Sequence, residues 1–227
     1  MVRKRKEDVE ITRHLLLEAA EEVFSHRGYA QATFQEIAER AGLSRGAIYW
    51  HFKDKSELLD AVLDRARLPW DQLPERFSCL SQTPTVAQLS RALGDGLQEI
   101  VSDPRLHRVT LILLHRTELI VENDQVYSRL TRIFNRIKTY VIAALNMRFK
   151  EADGTPCTGI PAIATSIKAL LTGSIYEWLL NQAEIELKHI PATVEALISP
   201  LQGKTSALNQ ECVLEHRVGG GLVVSGQ

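Results

Sequence analysis

No apolar run in this chain approaches the ~20 residues that a membrane-spanning helix needs, and no signal-peptide pattern opens it. It has no Cys-x-x-Cys pair, no glycine-rich phosphate loop and no Gly-x-Ser-x-Gly elbow. The three cysteines, Cys79, Cys157 and Cys212, are an odd number in dissimilar contexts, so they build no disulfide framework. The seven histidines (14, 26, 51, 107, 115, 189 and 216) show no metal-ligand spacing with cysteine or carboxylate. Together these absences predict a cytoplasmic protein, not an enzyme, with no metal, no cofactor and no membrane partner. Net charge is −1, so bulk charge advertises no nucleic-acid partner, and any DNA affinity must come from local arrangement.

What is present is a globular composition. The 227 residues, 44% of them apolar, suit one small and one larger domain. The pattern around Leu43–Lys55 organises the rest. Thr33-Phe34-Gln35-Glu36 is a capping box that opens a helix. Ile37, Ala38 and Ala41 give that helix its apolar stripe, and Gly42 ends it. Ser44 then caps a second short helix. At about 100° per residue, Ile48 and Phe52 share its inner side and Gly46 and Trp50 the outer. Arg45 and Tyr49 lie on one flank, Ala47 and His51 on the other. Helix, glycine turn, second helix is the pattern of a helix-turn-helix, whose second helix enters the DNA major groove. Asp54-Lys55-Ser56-Glu57 opens a further helix with another capping box, with Lys55 placed to bind phosphate at its start.

The run Thr33-x-x-Glu36-Ile37-Ala38-x-x-Ala41-Gly42-Leu43-Ser44-Arg45-Gly46-Ala47-Ile48-Tyr49-Trp50-His51-Phe52-Lys53-Asp54-Lys55 resembles the DNA-binding signature of the TetR family of bacterial repressors. Its Tyr-Trp-His-Phe-Lys form and the opening Arg3-Lys4-Arg5-Lys6-Glu7 resemble the AcrR-like branch, which controls multidrug efflux pumps. The match spans Arg3 to Leu63. It implies an all-α homodimer: a three-helix DNA-binding head on a larger helical body that binds a small-molecule inducer and dimerises. It also implies an inverted-repeat operator, released when inducer favours a head spacing that no longer fits successive major grooves.

The head is expected over residues 1–67, the body over 68–202 and a loose tail over 203–227. The basic residues Arg3–Lys6 read as a disordered arm that reaches phosphate or the minor groove on binding. A scaffold helix follows from about Asp8 to His26, with Glu18, Glu21 and Glu22 toward water. The breaks at Leu68–Pro74 mark the domain joint. In the body, helices are expected over about 85–102, from Pro104 onward, over 125–149, over 162–182 and over 191–201. The helix over 162–182 is apolar on nearly every side, which predicts burial on every side.

The candidate DNA-contacting residues are Thr33, Ser44, Arg45, Gly46, Tyr49, Trp50, His51 and Lys55. Arg45 is the expected base reader, because its guanidinium can grip guanine O6 and N7. Thr33, Ser44 and Lys55 are expected to hold phosphates. Gly173-Ser174 and Trp178-Leu179-Leu180 resemble the family's dimer helix, which nominates Ile175, Trp178 and Leu179 for the dimer interface. An efflux-type regulator needs an apolar cavity, for which the candidates are Trp70, Phe77, Leu113, Glu118, Phe134, Ile137, Thr172 and Tyr176, with Glu118 selecting cations. Two other readings of the chain are an architectural DNA-binding protein without a ligand and a thiol sensor using Cys79 or Cys157. Activation in place of repression is also compatible with the motif.

Overall fold

A computed structural model describes residues 2–78, 83–117, 124–151, 153–183 and 185–202. Four helices open the chain: α1 (Val2–Arg27), α2 (Phe34–Arg40), α3 (Arg45–His51) and α4 (Lys55–Ala66). Arg67 leaves α4 in the left-handed region, with φ 46°. A 3-10 turn, Pro69–Gln72, then leads into α5 (Leu73–Ser78). Next come α6 (Val86–Ser102), α7 (Pro104–His115), α8 (Asp124–Arg148) and α9 (Ile160–Leu180). A second 3-10 turn, Leu187–His189, precedes α10 over residues 190–202. No β-strand occurs among the described residues, so the chain is all-α.

Local chemistry sets most of these boundaries. Thr33 accepts the amide of Glu36 while the Glu36 carboxylate takes the amide of Thr33, so both halves of the box are made. Thr85 and Gln88 repeat it at α6. Asp103 accepts two amides, from Arg105 and Leu106, and Pro104 occupies the first helical position, where a missing N–H costs nothing. At the end of α2, Leu43 N donates to Ala38 O and Gly42 N to Glu39 O, with Gly42 at φ 69°. This Schellman closure requires a residue that tolerates positive φ.

Other details differ from the sequence reading. Helix α1 reaches back to Val2, so the basic residues Arg3–Lys6 extend a helix and are not a loose arm. They are good helix formers uninterrupted by glycine or proline. Ser44 caps α3 by position, but its hydroxyl makes no capping bond. Asp54 caps α4 through Glu57 N, while Glu57 reaches past it to Lys53 N. The 203–227 tail lies outside the described residues.

One continuous apolar core runs from Leu16 to Leu201. Helix α1 packs on α2, α4 and α7, and α8 packs along α9. Helices α6 and α10 approach so closely that a Cβ on Gly94 would lie 2.6 Å from Pro191 Cγ. Helix α9 buries one stripe only, Ile160, Ala164, Ile167, Leu171 and Ile175. Its opposite side, from Ala162 through Ser166, Ala169 and Gly173 to Leu180, is exposed. The expectation of burial all round is thereby corrected for the single chain: small residues make that side apolar without giving it anything to pack on within the subunit.

Candidate functional site

Helix α3 buries Ile48 and closes on the buried Phe52. With those anchors inward, Tyr49 is 51% and Trp50 72% exposed. Arg45 and Gly46 are exposed beside them. Side-chain contacts organise this face. The Arg45 guanidinium donates to Tyr49 Oη at 3.1 Å and lies over the same ring. Phe34 of α2 meets Tyr49 edge-on at 5.2 Å, and Trp50 meets His51 the same way. His51 is half-buried. Burial, then the nearby Arg13 charge, lowers its pKa below the usual 6.5, against an opposing pull from Glu10. Arg13 itself lies over the Phe52 ring, 5.4 Å from its centroid. The result is an exposed surface with an arginine, two hydrogen-bonding aromatics and an imidazole. Nothing but open space and Ser44 Oγ, at 3.8 Å, would meet a Cβ on Gly46.

The expected phosphate ligands divide. The Ser44 hydroxyl is exposed and has no capping duty. That of Thr33 is committed to Glu36, at 3.0 Å. Lys55 is turned inward: its ammonium donates to Ala30 O at 2.9 Å and Ala32 O at 3.0 Å and lies 4.8 Å from the Tyr29 ring centroid. Burial lowers its pKa accordingly. The reading of Lys55 as a free phosphate ligand is therefore corrected. Two of its three N–H groups hold the turn between α1 and α2 against the start of α4.

Two cavities lie farther along the chain. The first, about 560 Å³, is bounded by α7, α8 and α9. Four expected residues converge on it: Leu113, Phe134, Thr172 and Tyr176. Thr117, Asn135 and Lys168 add polar groups, and Lys168 is the one charged residue among the described lining. The Thr117 and Thr172 hydroxyls donate to Ile112 O and Lys168 O, so toward the cavity they can only accept. The second cavity, about 780 Å³, lies between α8 and the Pro69–Gln72 turn with the start of α5. Trp70 lines this one and not the first. Ile137, 1% exposed, lines neither; it faces the core because it shares a stripe with Ile133 and Val141. Glu118 and the Phe77 side chain lie outside the described residues.

Of the residues nominated for the dimer interface, Ile175 is buried inside its own subunit, which corrects that assignment. Its spacing from Ile167 and Leu171 puts it on the inner stripe. Trp178 is half-buried with its edge on His107, and Leu179 is half-buried beside it.

Comparison with known proteins agrees with this geometry. Residues 16–62 match the model of the bacterial regulatory proteins of the tetR family. Over 189 residues the chain is 33% identical to the HTH-type transcriptional regulator TtgR of Pseudomonas putida, covering 82% of this chain and 89% of that one. The chain belongs to the TetR family. It also superposes on NalD, the secondary repressor of the MexAB-OprM multidrug efflux pump in Pseudomonas aeruginosa. There the TM-score is 0.68, with 27% identity over 86% of this chain and 97% of NalD. Against a triclosan complex of SmeT, the repressor of a Stenotrophomonas maltophilia efflux pump, the TM-score is 0.70. Identity there is 26% over 84% of this chain and 91% of that one. As a member of this family the chain is a helix-turn-helix transcriptional regulator.

This TetR-family chain also holds residues that the sequence reading missed. Glu21, expected to face water, is 2% exposed. It accepts two bonds from Arg105 of α7, from Nε and Nη2, each at 3.0 Å, with Arg108 at 3.9 Å. The signal was present: Glu21 follows Leu17 by four residues and precedes Phe24 by three, on the buried stripe of α1. At the other end of α7, Tyr29 N donates to Arg116 O at 2.7 Å. Helix α7 is thus tied to α1 near both ends while supplying Leu113 and Leu114 to the first cavity. Cys157 is buried, which leaves it no access for a sensor thiol; Cys79 and Cys212 lie outside the described residues.

Proposed function

We propose that this regulator is a cytoplasmic, ligand-responsive repressor of a multidrug efflux operon, acting as a homodimer on an inverted-repeat operator. The observation that carries this reading is the double role of α7, at once a wall of the first cavity and the buttress of α1. The division is a DNA-binding head over 1–67 and a ligand-binding and dimerising body over 68–202. In each head, Arg45 reads bases, Tyr49, Trp50 and His51 mix base and phosphate contacts, and Gly46 admits the backbone of the duplex. Ser44 serves a phosphate, and Lys55 supports them by fixing the turn before α2. Two heads about 34 Å apart would fill successive major grooves. The outward stripe of α9 at Ala162 and Ser166, together with the exposed Ala192 and Ala196 of α10, is the face for the second copy.

A ligand in the first cavity acts by preferring a conformation with α7 displaced. Affinity alone would shift nothing; the ligand must bind the two conformations differently. Displacement of α7 pulls on Glu21 and Tyr29, and through Tyr29 and Lys55 on α3 and α4. Lys168 on the wall suits a neutral or phenolic aromatic better than a cation. A phenol is also what SmeT holds in its triclosan complex.

The test is genome-wide mapping of bound DNA, followed by titration of the purified repressor–operator complex with a chlorinated phenol and a cationic dye. Release by the phenol from a site beside a transport operon is the expected result. Binding without release by any compound would favour an architectural protein. Loss of the response on replacing the cysteines would favour a thiol sensor.

A further inference from the structure

The second cavity has a chemistry of its own. One face of α8 supplies Arg132, Asn135, Arg136, Thr139, Tyr140 and Ala143, and the opposite wall is Trp70, Asp71 and Pro74. Only Asn135 is shared with the first cavity. Trp70 is buried and held from behind: a Cβ on Gly96 would already lie 3.6 Å from its ring. It reaches the cavity only by a small exposed part, and the half-buried Tyr140 supplies the rest of the aromatic wall. Asp71 is ion-paired with Arg136 across the opening. Arg132, one turn earlier on the same face, has no ion-pair partner among the described residues. The cavity thus presents two guanidiniums and one carboxylate beside an aromatic plane.

We propose that this cavity is a second effector site, for flat aromatic carboxylates. The carboxylate is held by the guanidinium of Arg132 and competes with Asp71 for Arg136, and the ring packs against Tyr140 and the exposed part of Trp70. A cation would face two arginines. A neutral aromatic would desolvate Arg132 without giving it a partner, which is costly. A carboxylate matches a guanidinium fork with two parallel bonds. The Asp71–Arg136 pair also ties the turn that follows α4 to α8. A ligand that takes Arg136 from Asp71 opens that tie, so it prefers the conformation in which the turn is released.

The test is calorimetric titration of the full chain with 1-naphthoate and with its neutral counterpart 1-naphthalenemethanol. Arg132→Ala, an exposed substitution outside the core, should weaken naphthoate by at least about tenfold, the value of a charge-assisted pair. Asp71→Asn removes the internal competitor and should tighten naphthoate roughly threefold, a sign that a merely structural role for Asp71 would not give. Neither change should move the neutral alcohol. Lys168→Gln, in the first cavity, should leave naphthoate unaffected. The proposal is overturned if naphthoate does not bind, if Arg132→Ala leaves it unchanged, or if Asp71→Asn weakens it. Loss of binding in Lys168→Gln alone would put the anion in the first cavity, ending this proposal while leaving the repressor reading intact.

Discussion

Arg105→Ala is the sharpest test of the α1–α7 joint. The substitution removes two charge-assisted hydrogen bonds from a carboxylate that is 3% exposed. Removing one partner of a fully buried pair costs about 3–5 kcal/mol. Two features reduce that figure here. Arg105 is itself 32% exposed, and Arg108 stays 3.9 Å from the second Glu21 oxygen, close enough to take over part of the charge. About 2–3 kcal/mol remains. Urea unfolding followed by circular dichroism would read it as a lower midpoint at unchanged slope. Glu21→Leu in the same background should recover part of the loss, because the stranded charge goes with it, and that non-additivity is the signature of a real pair. The same variant should change the inducer concentration needed for operator release more than it changes operator affinity without inducer. A cost under about 0.5 kcal/mol, typical of surface substitutions, or strictly additive single and double changes, would refute the joint.

Four further outcomes are expected. Arg45→Ala should cost about 1–3 kcal/mol on the cognate operator and less on random DNA; equal losses would reduce Arg45 to a phosphate contact. Lys55→Met should lower the unfolding midpoint, through two lost bonds and one lost ring contact worth about 1–2 kcal/mol together, while the salt dependence of DNA binding keeps its slope; a shallower slope would restore a phosphate role. Ser166→Arg, on the exposed stripe of α9 and outside both cavities, should leave helix content intact and give monomers in sedimentation; a persisting dimer would move the interface elsewhere. His51 has a folded pKa below its unfolded 6.5, so its neutral form contributes stability above that pH and loses it as pH falls through the lowered value. The thermal midpoint should accordingly drop on acidification, less so in His51→Gln, and identical profiles would remove His51 as the cause.

The range over which each interaction reaches decides what could be read from the sequence. Thr33–Glu36, Thr85–Gln88 and Asp103–Leu106 close within three residues, so their residue types announced them. The inward and outward faces of α3 followed from its period in the same way, given Ile48 and Phe52 as anchors. Lys55 reaches a carbonyl 25 residues back, and Arg105 a carboxylate 84 residues back. No local pattern encodes those separations, which is why Lys55 read as a phosphate ligand and the partner of Glu21 went unseen, although the stripe of α1 already put Glu21 on its inner side. The outer side of α9 failed for a different reason. Alanine, serine and glycine lower a helix's polarity without stating whether the partner is the same chain or another. The cavities were half legible: aromatic and threonine positions on α8 and α9 could be nominated, but the division into two compartments depends on how α8 is rotated between them.

That α7 is tied to α1 by a charge pair as well as by packing has a consequence for switching. Moving a two-state equilibrium from 1:99 to 99:1 takes about 5.5 kcal/mol of differential binding. A joint worth about 2–3 kcal/mol is a large fraction of that, so a ligand that disturbs it in both subunits of a dimer works on the right scale. Apolar contacts alone would make a poorer switch, because Leu and Ile surfaces can slide and repack at little cost. The Arg105–Glu21 bonds are directional, and once their geometry is lost the carboxylate stays desolvated with only Arg108 beside it. On the proposed reading the joint has two states: made, with α1 held to α7, or broken, with Glu21 released toward water and α1 displaced with it.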